Sequence, residues 1–325
     1  MRLIPDTIDL RNYVKAPEFA PKVRRASDFM EDVAKALDPV ARKEETHPSM
    51  LSRKARQLRF RPKEITCWGG YNGHRKSMFT SQVALDLALQ RQKVLVVSLE
   101  MTPVATMTRM TRQALGSAFP GRQQVTEFQR WTDDRLWLFD HVGRLDVDNA
   151  LALCRYFASE FGGQHVFLDS FMKICDSEES MDKQKAFTTG LCEVADETGL
   201  HLHVIVHCRK PGTGDESKRP TKYDIKGSGS ISDQAHNVVM VWSNKAKQEK
   251  LERNPNDFDV LAEPDAVMSC EKQRNGSWEG ALKFWHHDGS LRFCDERATS
   301  VEPYSLWCRV LDLTRKGGAL NDQST

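Results

Sequence analysis

Three things are missing from this sequence, and each absence narrows what the chain can be. There is no C-x-x-C pair. The eight cysteines (Cys67, Cys154, Cys175, Cys192, Cys208, Cys270, Cys294 and Cys308) are scattered, several of them inside apolar runs. That suits small buried hydrophobes better than a disulfide framework or a cysteine-built zinc site. No apolar run approaches the roughly 20 residues of a membrane span, and no N-terminal segment has the apolar stretch of a signal peptide. A soluble cytosolic protein with no membrane partner is expected. Finally, there is no excess of charge: 47 basic residues stand against 45 acidic ones, so any contact with nucleic acid must come from local clusters.

What is present is enough apolar material, 39% of 325 residues, for one large domain or a domain with appendages. Its most informative stretch is Ile65 to Phe79, ITCWGGYNGHRKSMF, in which a short apolar run breaks into a glycine-rich loop, then Lys-Ser, then a helical pattern. Against G-x-x-x-x-G-K-[ST] the match runs Gly70, Tyr71, Asn72, Gly73, His74, then Arg75 in place of the second glycine, then Lys76 and Ser77, with Met78 following. Such a loop cradles phosphates with backbone N–H groups and a helix N-terminus, while the lysine neutralises β/γ charge and the serine ligates Mg²⁺. ATP and Mg²⁺ are therefore the expected cofactors. Arg75 is the anomaly, because a side chain there costs about 1 kcal/mol or more if φ is positive.

From Glu64 onward the rhythm is strand, helix, strand. Strands are expected at Ile65–Trp68, Lys93–Leu99, Arg135–Phe139, His165–Leu168, Leu202–Val206 and Val238–Trp242. Helices are expected at Ser77–Gln92, Pro103–Leu115, Gln123–Trp131, Asp146–Phe161 and Gln184–Thr198. This alternation predicts an α/β fold with a mostly parallel sheet covered on both faces. Asn244 to Pro264 is expected to be an exposed charged insertion. Ala266–Glu271, Ala281–Trp285 and Leu291–Phe293 suggest an antiparallel meander with type I′ turns at Asn275-Gly276 and Asp288-Gly289. Residues 1 to about 60 show no strand pattern. Within them lie an amphipathic helix at Ser27–Leu37, which packs on its own domain or docks on a neighbouring subunit, and a basic run of Arg53, Lys54, Arg56, Arg59, Arg61 and Lys63 that reads as a solvated face. Tyr304–Leu313 has helical periodicity, and Lys316 to Thr325 is expected to be disordered.

Ligands of open parallel sheets bind at the carboxyl ends of the strands, and three strands here end on chemically able groups. Asp169 closes HVFL and can serve the Mg²⁺ shell or Ser77. Glu100 follows VLVVSL as a candidate general base, or as an acid before the helix from Pro103. His207 follows HVIV as a candidate γ-phosphate sensor, or as a buried polar residue satisfied by backbone.

The ordered series SLEM at Ser98–Met101, Asp169, HCRKP at His207–Pro211, YDIKGSGSI at Tyr223–Ile231 and EKQRNG at Glu271–Gly276 resembles the RecA-like motor domain of DnaB-type hexameric replicative helicases. Within that family it is most similar to the phage primase-helicases and the mitochondrial helicase Twinkle, over roughly Gln57 to Phe293. The resemblance implies an ATP-dependent helicase, a homo-oligomer of hexameric type moving on single-stranded DNA during replication. Lys76 and Ser77 would hold phosphates and metal, Glu100 would be the catalytic base, and Asp169 the metal-shell acid. His207 would be the sensor, and Lys272 and Arg274 would be fingers reaching into the next subunit's nucleotide. Lys226, Gly227, Ser228 and Gly229 would track single-stranded DNA, with Lys183 and Lys185 a second candidate; mobile surface loops are the alternative. On this division residues 1–56 are an N-terminal helical or linker segment, 57–296 the motor and 297–325 a tail. No room is left for primase modules, so any primase or loader would be a separate partner, and a phage- or prophage-encoded product in a host cytosol fits the pattern. Two other functions stay open: a weakly or non-hydrolysing ATP-binding ring on DNA, motivated by Arg75, and a RecA-like recombination ATPase.

Overall fold

The computed structural model describes residues 2–7, 9–14, 26–37, 47–175, 181–211, 216–227 and 229–304. The apolar runs do form strands buried along their length: β2 (Ile65–Gly69), β3 (Val94–Ser98), β5 (His165–Asp169), β6 (His201–Ile205) and β7 (Asn237–Ser243). Together with β1 (Arg2–Pro5), β4 (Leu136–Asp140), β8 (Ala266–Gln273), β9 (Gly280–His287) and β10 (Arg292–Cys294) they build one sheet in the order β1-β4-β3-β5-β6-β2-β7-β8-β9-β10. Strands β1 to β7 pair in parallel, and β8, β9 and β10 extend the sheet antiparallel from β7. This is the mostly parallel, RecA-like P-loop NTPase arrangement with an antiparallel extension.

Burial on both faces explains why these strands read as continuous rather than alternating hydrophobic runs. Along β3, Leu95 and Val97 join one core with Leu153 and Phe157 of α5 (Val147–Phe161) and Leu191 and Val194 of α7 (Met181–Thr198). Val94 and Val96 join the other, with Val83 and Leu87 of α2 (Lys76–Leu89) and Met107 and Met110 of α3 (Pro103–Leu115). Phe284 and Phe293 of the antiparallel strands close this second core against Phe79 of α2. Helix α3 starts where Thr102 accepts a hydrogen bond from the Ala105 amide, has Pro103 in its first turn, and stops at Gly116 in the left-handed conformation.

Several expectations are corrected. Arg2–Pro5, four residues with no readable alternation, form the edge strand β1, whose Ile4 is buried against β4. The segment Asn244–Pro264 is not a loose exposed insertion. It folds as α9 (Lys245–Arg253) and α10 (Phe258–Ala262), and Lys247 is 2% exposed, its ammonium bound to the carbonyls of Leu261 and Glu263 and to Asp265. A buried lysine that satisfies helix-end carbonyls looks from sequence like one more surface charge. Neither turn is type I′, which needs positive φ at both central residues. Asn275, Gly276, Asp288 and Gly289 all lack it, and in the second turn the left-handed residue is Leu291. In the N-terminal helical segment a 3₁₀ turn at Ala26–Phe29 precedes α1 (Met30–Leu37), and Val33, expected on the apolar stripe, is 52% exposed. The expectations for Tyr304–Leu313 beyond its first residue, and for Lys316 to Thr325, lie outside the described residues. Tyr304 itself is buried, donating to Asp86 and lying under the Arg292 guanidinium at 3.7 Å.

Candidate nucleotide site

Strand β2 ends on Gly69, where an added Cβ would strike Met240, and the chain turns through 70–75 into α2. At Gly70 a Cβ would sit 2.3 Å from the Val241 carbonyl, and Gly73 has φ of 76°, so both glycines are required by the path of the loop. Arg75 holds φ 59° and ψ 24°. It therefore adopts the left-handed geometry that the missing glycine would have taken without strain.

Lys76, 5% exposed, folds back over the loop and donates to the carbonyls of Gly70 (3.0 Å) and Tyr71 (2.8 Å). Burial pushes its pKa down, opposed by Cys208, Asp169 and Glu100. His74 contributes backbone to the loop, but its ring is turned into the protein. Nδ1 accepts from the Ser243 amide at 3.1 Å, so Nε2 carries the proton and donates to Glu216 at 3.0 Å. Tyr71 is buried edge-to-face against that ring, and Asn72 sits exposed between them. The Met78 thioether meets His286 at 3.2 Å.

The carboxyl ends of β3, β5 and β6 bring Glu100, Asp169 and His207 to the same place. Asp169 is 7% exposed; burial raises its pKa, while a hydrogen bond from Ser77 and the charge of Lys76 lower it. A buried carboxylate held beside a serine hydroxyl, incompletely compensated by cations, suits a divalent cation that takes its remaining ligands from phosphate and water. The described residues contain no cluster of three or more His, Cys, Asp or Glu that would hold a metal by themselves, as a nucleotide-dependent Mg²⁺ site requires. Glu100 is held down to about 2, first by His207, whose Nε2 lies 3.6 Å from Oε1, and then by Ser170, which donates to Oε1 at 2.7 Å; burial opposes both. The Glu100 carboxylate is thus ionised and aimed.

Two groups here escaped the sequence reading. Ser170 orients Glu100 from the residue after β5. Arg109, on α3, lines a narrow polar cleft with Ser77, Thr106 and Asp169; burial depresses its pKa and the Asp169 charge raises it. A search confined to strand ends passes over a helix side chain, although Thr106 and Arg109 lie three apart on one face.

The other expected residues fall into two groups. Lys226 donates its backbone N–H to the His207 carbonyl at 2.8 Å, and Arg209 donates to Asp224, so the loop after Ile225 is stitched to the segment carrying the sensor candidate. Gly227, at φ 103°, packs on Gln184 of α7, which lies between the exposed Lys183 and Lys185. The two candidate DNA elements are therefore adjacent. Gly229 precedes α8 (Ser230–Gln234), and Ser228 lies outside the described residues. Lys272 and Arg274 are elsewhere. Register pairs Thr66 with Asn237 and Asn237 with Gln273, so Arg274 lies beyond the starts of β2 and β7, whereas the phosphate loop leaves their ends. Five residues of β2 put roughly 15 Å of strand between them. Lys272 donates to the carbonyls of Ser232 (3.0 Å) and Asp233 (2.8 Å), and Arg274 to that of Asp233 (3.2 Å), all in α8.

A loop of this kind between β2 and α2, with acidic groups at the neighbouring strand ends, defines a P-loop NTPase. The AAA domain family matches residues 35–213, more than half of the chain, and the chain belongs to that family. Its fold is similar to the solved ATPase domain of a phage helicase, at 14% identity and TM-score 0.68, covering 83% of this chain and 99% of that one. It is also similar to a DnaB-like replicative helicase whose structure was described with its interactions with primase, at 14% identity and TM-score 0.60, covering 72% of this chain and 59% of that one. Family and fold imply nucleotide binding. Among the described residues no helix is long and apolar enough to cross a membrane.

Proposed function

We propose that this protein is an ATP-dependent DNA helicase of the DnaB type, a homo-oligomeric ring, hexameric by resemblance, that moves on single-stranded DNA in replication. The carrying observation is the division of the site. Phosphate loop, Glu100, Asp169 and His207 converge at one end of the sheet, while Lys272 and Arg274 stand at the other, out of reach of their own nucleotide. A complete site then needs a second copy.

In this reading Lys76 exchanges its two loop carbonyls for β/γ oxygens, and the backbone N–H groups of residues 70 to 78 hold the remaining phosphate charge. Ser77 and Asp169 hold Mg²⁺, which when bound neutralises charge on the transferring phosphoryl group. Glu100, kept ionised by His207 and oriented by Ser170, accepts the proton of the attacking water. His207 passes the state of the γ-phosphate to Lys226 through their shared backbone bond, and so to the loop and lysines proposed to hold DNA. A separate primase or loader and a cytosolic setting complete the proposal. The proposed motor keeps the bounds 57–296, with β1 added at its edge.

ATP hydrolysis by the purified protein with single-stranded DNA and Mg²⁺ tests this directly. Turnover should stand well above that of Lys76→Ala, and equality of the two removes the reading. The left-handed Arg75 favours one variant of it, a ring that binds ATP and turns it over slowly.

A further inference from the structure

At the end of the sheet remote from the phosphate loop lies an open cleft of about 650 Å³, walled by Arg56, Arg59, Arg61, Arg274, Asn275 and Trp278. The run 53–63 is thus not merely a solvated face: its arginines are gathered with Arg274 around one hollow. The cleft is built rather than incidental. Glu64, 2% exposed beneath it, accepts from Asn275 at 2.8 Å and from Asn237 at 3.0 Å, with Arg61 Nη1 3.8 Å away. One buried carboxylate thereby ties the turn that carries Arg274 to the segment that carries Arg61. Arg59 is fixed by its bond to the His47 carbonyl at 2.9 Å. Arg61 Nη1 is buried and has no hydrogen-bond partner among the described residues. Four guanidiniums around one largely occupied carboxylate leave a strong positive excess, in the planar fork geometry that suits phosphate oxygens.

We propose that this cleft receives the phosphates of the nucleotide seated in the phosphate loop of a second copy of the chain, with Arg56 and Arg61 acting beside Arg274. The inference rests on the ring reading above and deepens it. Two observations select this occupant over a DNA strand. Arg274, the residue already assigned to the neighbour's nucleotide, forms part of the wall. The elements proposed to hold DNA are tied to His207 at the opposite end of β6, away from the cleft.

Arg56→Gln and Arg61→Gln, singly and together, test it. Arg56 is exposed, so its substitution leaves the fold intact, and melting curves check Arg61. DNA-stimulated turnover of the double variant should drop by about tenfold or more, since an arginine supplied across an interface can contribute on the order of 10³-fold. Affinity for a labelled single-stranded oligonucleotide should not change. The deciding measurement mixes the double variant with Lys76→Ala. Where a P-loop from the first faces a cleft from the second, the site is whole, so the mixture should hydrolyse ATP well above the sum of its parts. If the double variant is impaired and mixing restores nothing, or if oligonucleotide affinity falls instead, the cleft does not serve a neighbour's nucleotide. Undiminished turnover by the double variant overturns the proposal alone. An inactive wild-type protein removes the ring reading and this proposal with it.

Discussion

Arg75 shows how two effects of similar size decide an outcome at one residue. Its left-handed φ costs about 1 kcal/mol, which Arg75→Gly would recover. Glycine also gives the unfolded chain back about 0.4–1 kcal/mol of conformational entropy. The two cancel, so Arg75→Gly should leave stability in urea within about 0.5 kcal/mol of wild type. Any change in ATP turnover by that variant then reports on the guanidinium at the phosphate loop rather than on the fold. A faster variant marks Arg75 as a brake, whereas a slower one marks it as a phosphate contact. A stability change well beyond that margin would show that the strain assigned to Arg75 is wrong.

At the scale of elements, the candidate coupling between nucleotide and DNA runs through a short antiparallel contact, Cys208 to Ile225, flanked by the Lys226 to His207 bond. Gly227 is the position that lets the loop lie on α7. An added Cβ would fall 2.4 Å from Gln184 Oε1, and φ 103° is strained for any L side chain. Gly227→Ala should therefore cost at least about 1 kcal/mol locally and move Lys226 relative to Lys183 and Lys185. Oligonucleotide affinity by fluorescence anisotropy should fall several-fold while binding of a fluorescent ATP analogue stays the same. Unaltered DNA affinity would take this loop out of the DNA site.

Elements are also where the legibility of the sequence divides. Strands β2 to β7 were readable because burial on both faces leaves an unbroken apolar run, and the acids at their ends could be named without knowing the strand order. Strand β1 was not, since four residues at a sheet edge carry no period of their own. The two helices after Asn244 were hidden because a buried lysine and a surface lysine are the same letter. Ser170, Arg109 and the arginine cleft escaped for a related reason. Each is defined by what folding brings beside it: a strand-end glutamate, a neighbouring strand's aspartate, and a turn more than two hundred residues distant along the chain.

Across the whole molecule, the centre of the sheet holds three buried histidines that the nucleotide chemistry does not use. His201 Nδ1–H donates to the Arg61 carbonyl, leaving Nε2 to accept from Thr66. His203 Nδ1 accepts from Trp68 Nε1–H, leaving its Nε2–H for His165 Nδ1 at 3.3 Å, while its ring stacks on Phe167 at 4.0 Å. Every bond in this network requires a neutral ring. Burial depresses all three, His201 to about 4 from 6.5 and His165 and His203 well below 6.5. Because the folded values lie below the unfolded one, the unfolded chain binds more protons in this range and stability rises with pH. The contribution is complete above about 6.5 and is lost as pH falls below it, at roughly 2 kcal/mol from His201 alone by pH 5. His74, His236 and His286, also depressed by burial, add in the same direction. Asp86 works against them: burial raises it to about 7, so between its unfolded value and about 7 the folded state holds the extra proton. With three core histidines against one aspartate, the protein should unfold more readily in urea at pH 5.5 than at pH 7.5. The same plot tests the assignment without reference to absolute stability. His165→Leu removes one titrating ring, so the slope of unfolding free energy against pH near 5.5 should fall by about one proton per molecule. An unchanged slope would mean that His165 does not titrate between the folded and unfolded states in this range, and that the acid sensitivity of the fold arises outside this core.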